Sequence, residues 1–509
     1  MPRVAIIGSG PGGLIAARYL QSEGFEPVLF DPGSSPGGQW SGDAACSGIW
    51  PAMRTNTSRV LTQFSDLAHA PGLAVYPSNR EIGDYLRRYA DRFRLSERMR
   101  LRTQVRDIAA APGGWAVRHD AHDQAEIFQK VVVACGRFQQ ARVPAVPGLA
   151  SFSGSHGVAH TSAYKHPERY RGQRVLVAGC AISALEIASD LCMLGAARVV
   201  VCHRRQRYVL PKLVAGVPSD HRVFTRYQAL AEESLPRGEF GGMLKELVLA
   251  WGGSPEQFGA PKPAESILDA GLTLSQHFLP LVAEGRIEVR PWFDSVEGPR
   301  VRFADGSVET FDGMLFGTGF ELKMPFFKEP VRRLLGLDAQ RLDLFQHSFH
   351  PEMPGLAFVG LWDQSGPMFP PIELQARWIA YVWGGAVAAP SLAAMQLGVA
   401  DCRRRGEAPK TKMNLMALLF ARAAGVEPDP RRWPGLRRAL LFGPLAPVSF
   451  RLEGRDALPD AAERFAEEAQ AFGCMQSPHF QEAELRQLRR LAGAAGSGPA
   501  AAWATADHG

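Results

Sequence analysis

Two short glycine turns, each held between an apolar strand and a helical run, constrain this chain more than any other feature. The first is GSGPGG at 8–13, entered from the strand Arg3–Ile7 and followed by a helical stretch and a second strand at Pro27–Phe30. The second lies within RVLVAGCAISALEIASDL at 174–191, and ARVVVCHRR follows it at 197–205. Strand, tight turn, helix and strand in that order is the unit whose strands run parallel and whose crossover is right-handed. Two copies predict an α/β fold with two Rossmann-like dinucleotide-binding domains.

Gly8, Gly10 and Gly13 spell G-x-G-x-x-G. Missing side chains there permit the tight turn and let the backbone approach a pyrophosphate at the helix N-terminus. Asp31 closes the next strand, where a carboxylate accepts hydrogen bonds from both ribose hydroxyls. The second turn is degenerate, with Gly179, Ala181 and Ala184 giving G-x-A-x-x-A. Alanine fits the third position, but at the second it crowds a pyrophosphate by one methyl, so a nucleotide-free Rossmann-like domain stays open. The end of the following strand argues against that, because His203, Arg204, Arg205 and Arg207 stand where an NAD-binding fold places an acid. A carboxylate about 4 Å from a 2'-phosphate charge would cost roughly 4 kcal/mol at a near-surface dielectric. Arginine instead makes paired, charge-assisted hydrogen bonds. A solvated arginine turn is the bland alternative. The two folds thus differ in sign at equivalent places: the first suits the unphosphorylated ribose of FAD, the second NADPH.

Composition excludes several classes. The net charge of +6, from 57 basic and 51 acidic residues, is spread thinly over 509 residues, without the basic concentration that nucleic acid requires. Seven scattered cysteines show neither a CxxC pair nor a His/Cys metal spacing, which reads as reduced thiols, no metal site and a cytoplasmic location. A disulfide reductase needs two close cysteines beside its flavin. Cys46 has no neighbour in sequence, and Cys192 and Cys202 fall on a helix and a strand of the second fold. The N-terminus runs straight into the first glycine turn, so no signal peptide is expected. Residues 378–400 carry no charge, yet Gly384, Gly385, Pro390 and Ser391 interrupt them. Two short buried helices joined by a loop are expected there rather than a membrane span.

Between the two units, Arg80–Phe93 has helical spacing, with Ile82, Tyr85, Leu86, Tyr89 and Phe93 on one face and Asn79 as N-cap. Strand-like runs follow at 102–109, 115–119 and 127–135, the last ending ACGRF. A similar strand end, GMLFGTGF, recurs at 313–320 and marks a return between folds. The expected division is therefore discontinuous, with the NADPH domain inserted in the FAD domain. A first FAD part covers 1–165, the NADPH domain 166–315 and a second FAD part with C-terminal helices 316–495; the Ala/Gly-rich end, 496–509, reads as a disordered tail. Within the insert, 213–266 is less regular and reads as an excursion covering the site.

At this point the chain resembles the flavin-containing monooxygenase family, within the class B flavoprotein monooxygenases that include Baeyer–Villiger enzymes. GGQW at 37–40 resembles the family's GGxW beside the flavin, and MRTNTSRVLTQFSD at 53–66 its NTS…FSD segment. VVVACGRFQQARVPAVPG at 131–148 is similar to the ATG linker, with Cys135 where threonine is usual. RRQRYVLPK (204–212), FGTGF (316–320), FPPIELQARW (369–378) and LLFGPLAPVSFRLEG (440–454) resemble further family segments in family order. The resemblance implies Asn56 as the active-site asparagine. It adds Gln39, Trp40, Val105 and Gln375 to the FAD set, and Ser183 to the NADPH set. It implies O2 activation as a C4a-(hydro)peroxyflavin and transfer of one oxygen atom to a small organic substrate. Nitrogen or sulfur leads; Baeyer–Villiger oxygenation of a ketone or carrier-bound intermediate, and a non-oxygenating NADPH oxidase, are alternatives. A homodimer stays open, as does a carrier protein for a tethered substrate, and no hydrophobic C-terminal anchor is seen.

Departures bear on substrate. The fingerprint FxGxxxHxxx(Y/F) is matched by Phe152, Gly154, His160 and Tyr164 only with two extra residues between its halves. Baeyer–Villiger enzymes generally place tryptophan at Tyr164, and Ile182 replaces a common asparagine. His156 and His160 read first as structural histidines.

Overall fold

The structure, a computed structural model, describes residues 1–42, 47–406 and 410–495; Cys46 and the expected tail at 496–509 lie outside them. Two five-stranded parallel sheets organise the chain. In the first, Arg3–Ile7 is central, flanked by Glu26–Phe30 and Lys130–Val133, with Met99–Arg100 and Leu356–Phe358 at the edges. In the second, Arg174–Ala178 is central, flanked by Arg198–His203 and Gly313–Phe316, with Ile287–Pro291 and Gly157–His160 at the edges. These strands are near-continuous runs of Val, Ile, Leu and Ala because a parallel sheet is covered on both faces. Val4, Ala5, Ile6, Val175, Leu176 and Val177 are each 0% exposed.

Four sequence expectations are corrected. The run 127–135 is two elements: His122–Phe128 closes a three-stranded antiparallel sheet, and Lys130–Val133 joins the parallel one. The second sheet takes in Gly157–His160, ahead of residue 166, since these residues pair with Gly313–Phe316. The excursion at 213–266 is largely helical, with Arg226–Ser234 and Arg237–Gly252. These helices bury Leu230, Phe240 and Leu244 against Leu441, Phe465 and Leu491 of the C-terminal segment, a long-range core no local pattern announces. The uncharged stretch does break into two helices, Phe369–Trp383 and Leu392–Arg405, but the second lies on the surface, with Leu397 71% exposed and only Val399 buried.

The chain leaves the first sheet after Val133 and returns to it after Phe316. Its outgoing and returning segments are hydrogen-bonded to each other: Gln140–Ala141 pairs antiparallel with Phe320–Glu321, and the Arg142 N–H donates to the Gly319 carbonyl at 3.0 Å. No helix of the described residues is long and apolar enough to cross a membrane.

Candidate functional site

The first glycine turn is dictated by sterics. Gly8 has φ 112°, and a Cβ there would lie 2.5 Å from the Ala134 carbonyl oxygen. A Cβ on Gly13 would lie 1.9 Å from the Gly8 carbonyl oxygen, so only glycine lets helix Pro11–Ser22 pack this closely on the turn. Gly10 is the N-cap and has no side chain with which to cap, which leaves the first-turn N–H groups for an anion. Asp31 stands beside the turn. One of its oxygens accepts the Ser9 backbone N–H at 2.7 Å and the Ser9 hydroxyl at 2.9 Å, and the other accepts the Gly33 N–H at 2.8 Å.

Gly37–Trp40 folds against this turn, since the Gly37 N–H donates to the Ser9 carbonyl at 2.9 Å and a Cβ on Gly38 would lie 3.0 Å from the Gly10 Cα. Gln39 and Trp40 are half-buried there. Val105 is buried, and its segment borders Asp31 through the Thr103 N–H, which donates to the Asp31 carbonyl at 2.9 Å. Val105 itself pairs with His119 in an antiparallel sheet.

Helix Asn79–Arg92 positions the asparagine loop. Its N-cap is Ser78, with Glu81 completing a capping box, and not Asn79 as the sequence suggested. Asn79 is helical and turns its amide on the Trp50, Pro51 and Met53 carbonyls at 3.1–3.3 Å. One turn on, Gly83 lies under the Trp40 carbonyl, where a Cβ would come to 2.8 Å. One helix therefore fixes both the Gly37–Trp40 turn and the chain leading to Asn56. Thr55 and Arg59 are tied to Pro77 and Val75 by backbone hydrogen bonds of 2.8 Å each. Between them, Asn56 is half-buried with its Oδ1 buried and without a hydrogen-bond partner. An orphaned acceptor of this kind costs about 1–3 kcal/mol unless a ligand or water satisfies it.

Gln375 does not face a ligand. It is 0% exposed, its Oε1 accepts the Gly360 N–H at 2.9 Å, and its Nε2 donates to the His347 and Phe358 carbonyls and the Ser348 hydroxyl at 2.8–3.1 Å. Its amide is consumed in bracing the loop that returns to the first sheet, which removes it from the cofactor-contacting set.

The second turn repeats the logic with alanine. Gly179 has φ 139°, and a Cβ would come within 2.6 Å of the Gly317 carbonyl oxygen; a Cβ on Gly317 would lie 2.7 Å from that of Ala184. Ala181 is the N-cap of helix Ile182–Met193, and Ser183 is exposed in its first turn. Arg204 and Arg205 are exposed at the strand end. The Arg204 guanidinium lies over the Trp292 ring, 4.9 Å from its centroid, and has no ion-pair partner among the described residues. Arg205 donates to the Asp269 carbonyl at 3.3 Å. The sequence reading missed Trp292, which reaches Arg204 only because Pro291 registers beside His203 in the sheet.

His156, His160 and Tyr164 are held by local packing and hydrogen bonds, with His160 Nε2 buried and unpartnered. His160 Nδ1 accepts the Ser162 N–H at 3.1 Å, and its ring meets Phe320 edge-on at 4.8 Å. Burial lowers its pKa below the usual imidazole value. His156 packs on Tyr170 with ring centroids 5.2 Å apart. The Tyr164 hydroxyl donates to buried Asp190 at 2.9 Å, pinning the preceding segment to helix Ile182–Met193.

The two glycine cradles, the first-turn N–H groups, the unpaired Arg204 and the orphaned Asn56 oxygen fit FAD at the first turn and NADPH at the second. Comparison with known proteins agrees. A family model described as FMO-like, flavin-binding monooxygenase-like, matches residues 1–467. Dimethylaniline monooxygenase (N-oxide-forming) 2 of Rattus norvegicus is 30% identical over 482 residues, 89% of each chain. Among solved structures, S-allyl-L-cysteine S-oxygenase from Allium sativum shares the fold at TM-score 0.61 and 23% identity, covering 92% of this chain and 99% of that one. Cyclohexanone monooxygenase from Rhodococcus sp. Phi1, bound to NADP+, does so at TM-score 0.63 and 17% identity, over 84% and 97%. The chain belongs to the flavin-binding monooxygenase-like family, and is an FAD-dependent monooxygenase driven by NADPH.

Proposed function

We propose that this monooxygenase transfers oxygen to a nucleophilic nitrogen or sulfur atom of a small molecule. The observation that carries the reading is its 30% identity, across 89% of both chains, to an enzyme named for forming N-oxides. When bound, NADPH supplies a hydride and reduced FAD supplies the reaction with O2. The residues of the chain bind, orient and protect. The first-turn N–H groups and Asp31 hold one nucleotide, and Ser183, Arg204 and Arg205 hold the other. Asn56 offers a neutral amide, donor and acceptor together, beside the reacting oxygen, where a carboxylate would repel developing negative charge.

The test is NADPH-driven turnover with tertiary amines, sulfides and cyclic ketones, with product masses recorded. N-oxides or sulfoxides are expected. Lactones or esters as the sole oxygenated products would replace this reading with the Baeyer–Villiger one, and peroxide alone with every substrate would indicate an oxidase.

A further inference from the structure

A buried acid in the inserted fold grips the asparagine loop of the first fold, and none of the chemistry above uses it. Asp220 is 3% exposed and opens the short helix Asp220–Val223. Its Oδ2 accepts the Ser58 backbone N–H at 2.6 Å, and its Oδ1 is buried with no partner. Beside it His221, 0% exposed, brings Nε2 to 3.0 Å from the Ser58 hydroxyl. The C-terminal segment closes the node, since Phe472 meets the His221 ring edge-on at 5.4 Å and takes Arg59 on its face at 4.7 Å. Three distant stretches of chain converge on one serine, two residues past Asn56.

A fully buried carboxylate is costly unless it is firmly hydrogen-bonded, and folding retains one where it fixes something. Here burial pushes the Asp220 carboxyl up to about 7 and, helped by the Arg59 and Arg222 charges, the His221 imidazole down to about 3. The Ser58 N–H ties the asparagine loop to the inserted fold at 2.6 Å, and breaking that bond frees the backbone that aims Asn56. We infer that Asp220 is a positioning residue: through Ser58 it locks the Asn56 loop to the nucleotide-binding insert and so couples oxygen transfer to NADPH use. The inference rests on the reading of Asn56 given above.

The test uses full-length, FAD-loaded Asp220→Ala, Asp220→Asn and Asn56→Ala, reading H2O2 released per NADPH consumed alongside anaerobic flavin reduction. Asp220→Ala removes the acceptor, and peroxide leakage should rise about tenfold, the scale of one buried hydrogen bond. Flavin reduction should stay within about twofold, which a general loss of structure would not spare. Asp220→Asn keeps an oxygen for the Ser58 N–H and should leak little more than the parent. Should Asp220→Ala fail to hold flavin, Ser58→Pro read against Ser58→Ala asks the same question. Proline deletes the N–H, and Ser58 already has φ −62°, close to that of proline. Parental coupling in Asp220→Ala, or in Ser58→Pro, overturns the inference, as does leakage in Asp220→Asn equal to that in Asp220→Ala. If Asn56→Ala leaks while Asp220→Ala does not, only the role of Asp220 falls; if neither leaks, the Asn56 reading falls with it.

Discussion

Asp31 holds its own turn and is the acid proposed above to take the ribose of one nucleotide. Its three hydrogen bonds to Ser9 and Gly33 occupy both lone-pair sites of one oxygen and leave one site, on the oxygen that accepts the Gly33 N–H, for a ribose hydroxyl. Asp31→Ala should therefore strip flavin during purification while leaving the NADPH/NADH preference of any loaded protein unchanged; a changed preference at full flavin content would mean the two nucleotides are exchanged. Arg204→Ala should weaken NADPH about tenfold or more, one charge-assisted pair, and spare NADH, as titration of both would show. Residue identity was legible here because a glycine at positive φ and an acid at a strand end each have one dominant use. Gln375 was not. A polar side chain in a resembling segment looks the same whether it meets a ligand or a backbone, and only its four internal hydrogen bonds distinguish the two.

At the scale of elements, helix Asn79–Arg92 was read from its apolar spacing, and Ile82, Tyr85, Leu86 and Tyr89 are indeed fully buried. The cap was misplaced by one residue because Ser and Asn are both good N-caps; the Glu81 side chain, which reaches back to the Ser78 N–H at 2.7 Å, decides between them. Ser78→Ala should cost about 1 kcal/mol in urea denaturation. Because the same helix supports the Trp40 turn and the Asn56 loop, the variant should also retain flavin less well, measured by absorbance after dialysis. Helices Arg226–Ser234 and Arg237–Gly252 escaped the sequence reading for a different reason. Their apolar residues face partners at both ends of the chain, so no single stripe marks them.

The whole molecule is tied together by buried charge. Glu373 accepts from the Tyr19 hydroxyl and from Ser65, and Arg451 links Tyr19 to Asp456, which also pairs with Arg377. This network joins the first glycine helix, the FSD segment and the C-terminal segment. Nearby, Glu468 takes one hydrogen bond from Gln63 at 2.9 Å and buries its other oxygen without a partner, and burial raises its pKa from 4.5 to about 8. Protonated in the native state and ionised when unfolded, it makes stability fall as pH rises across that window. Glu468→Gln should flatten the decline in Tm between those values; an unchanged slope would show that the acid is ionised in the fold. The paired ribbon of Gln140–Ala141 with Phe320–Glu321 has a consequence for how such a chain is assembled. Loop closure is costly when chain ends must be drawn together from afar. Here the insert's two ends leave the first fold side by side, so that fold sees only a hairpin, however long the chain beyond it. The inserted domain can then lengthen, shorten or be exchanged at almost no entropic penalty to its host, which is the arrangement of a cassette.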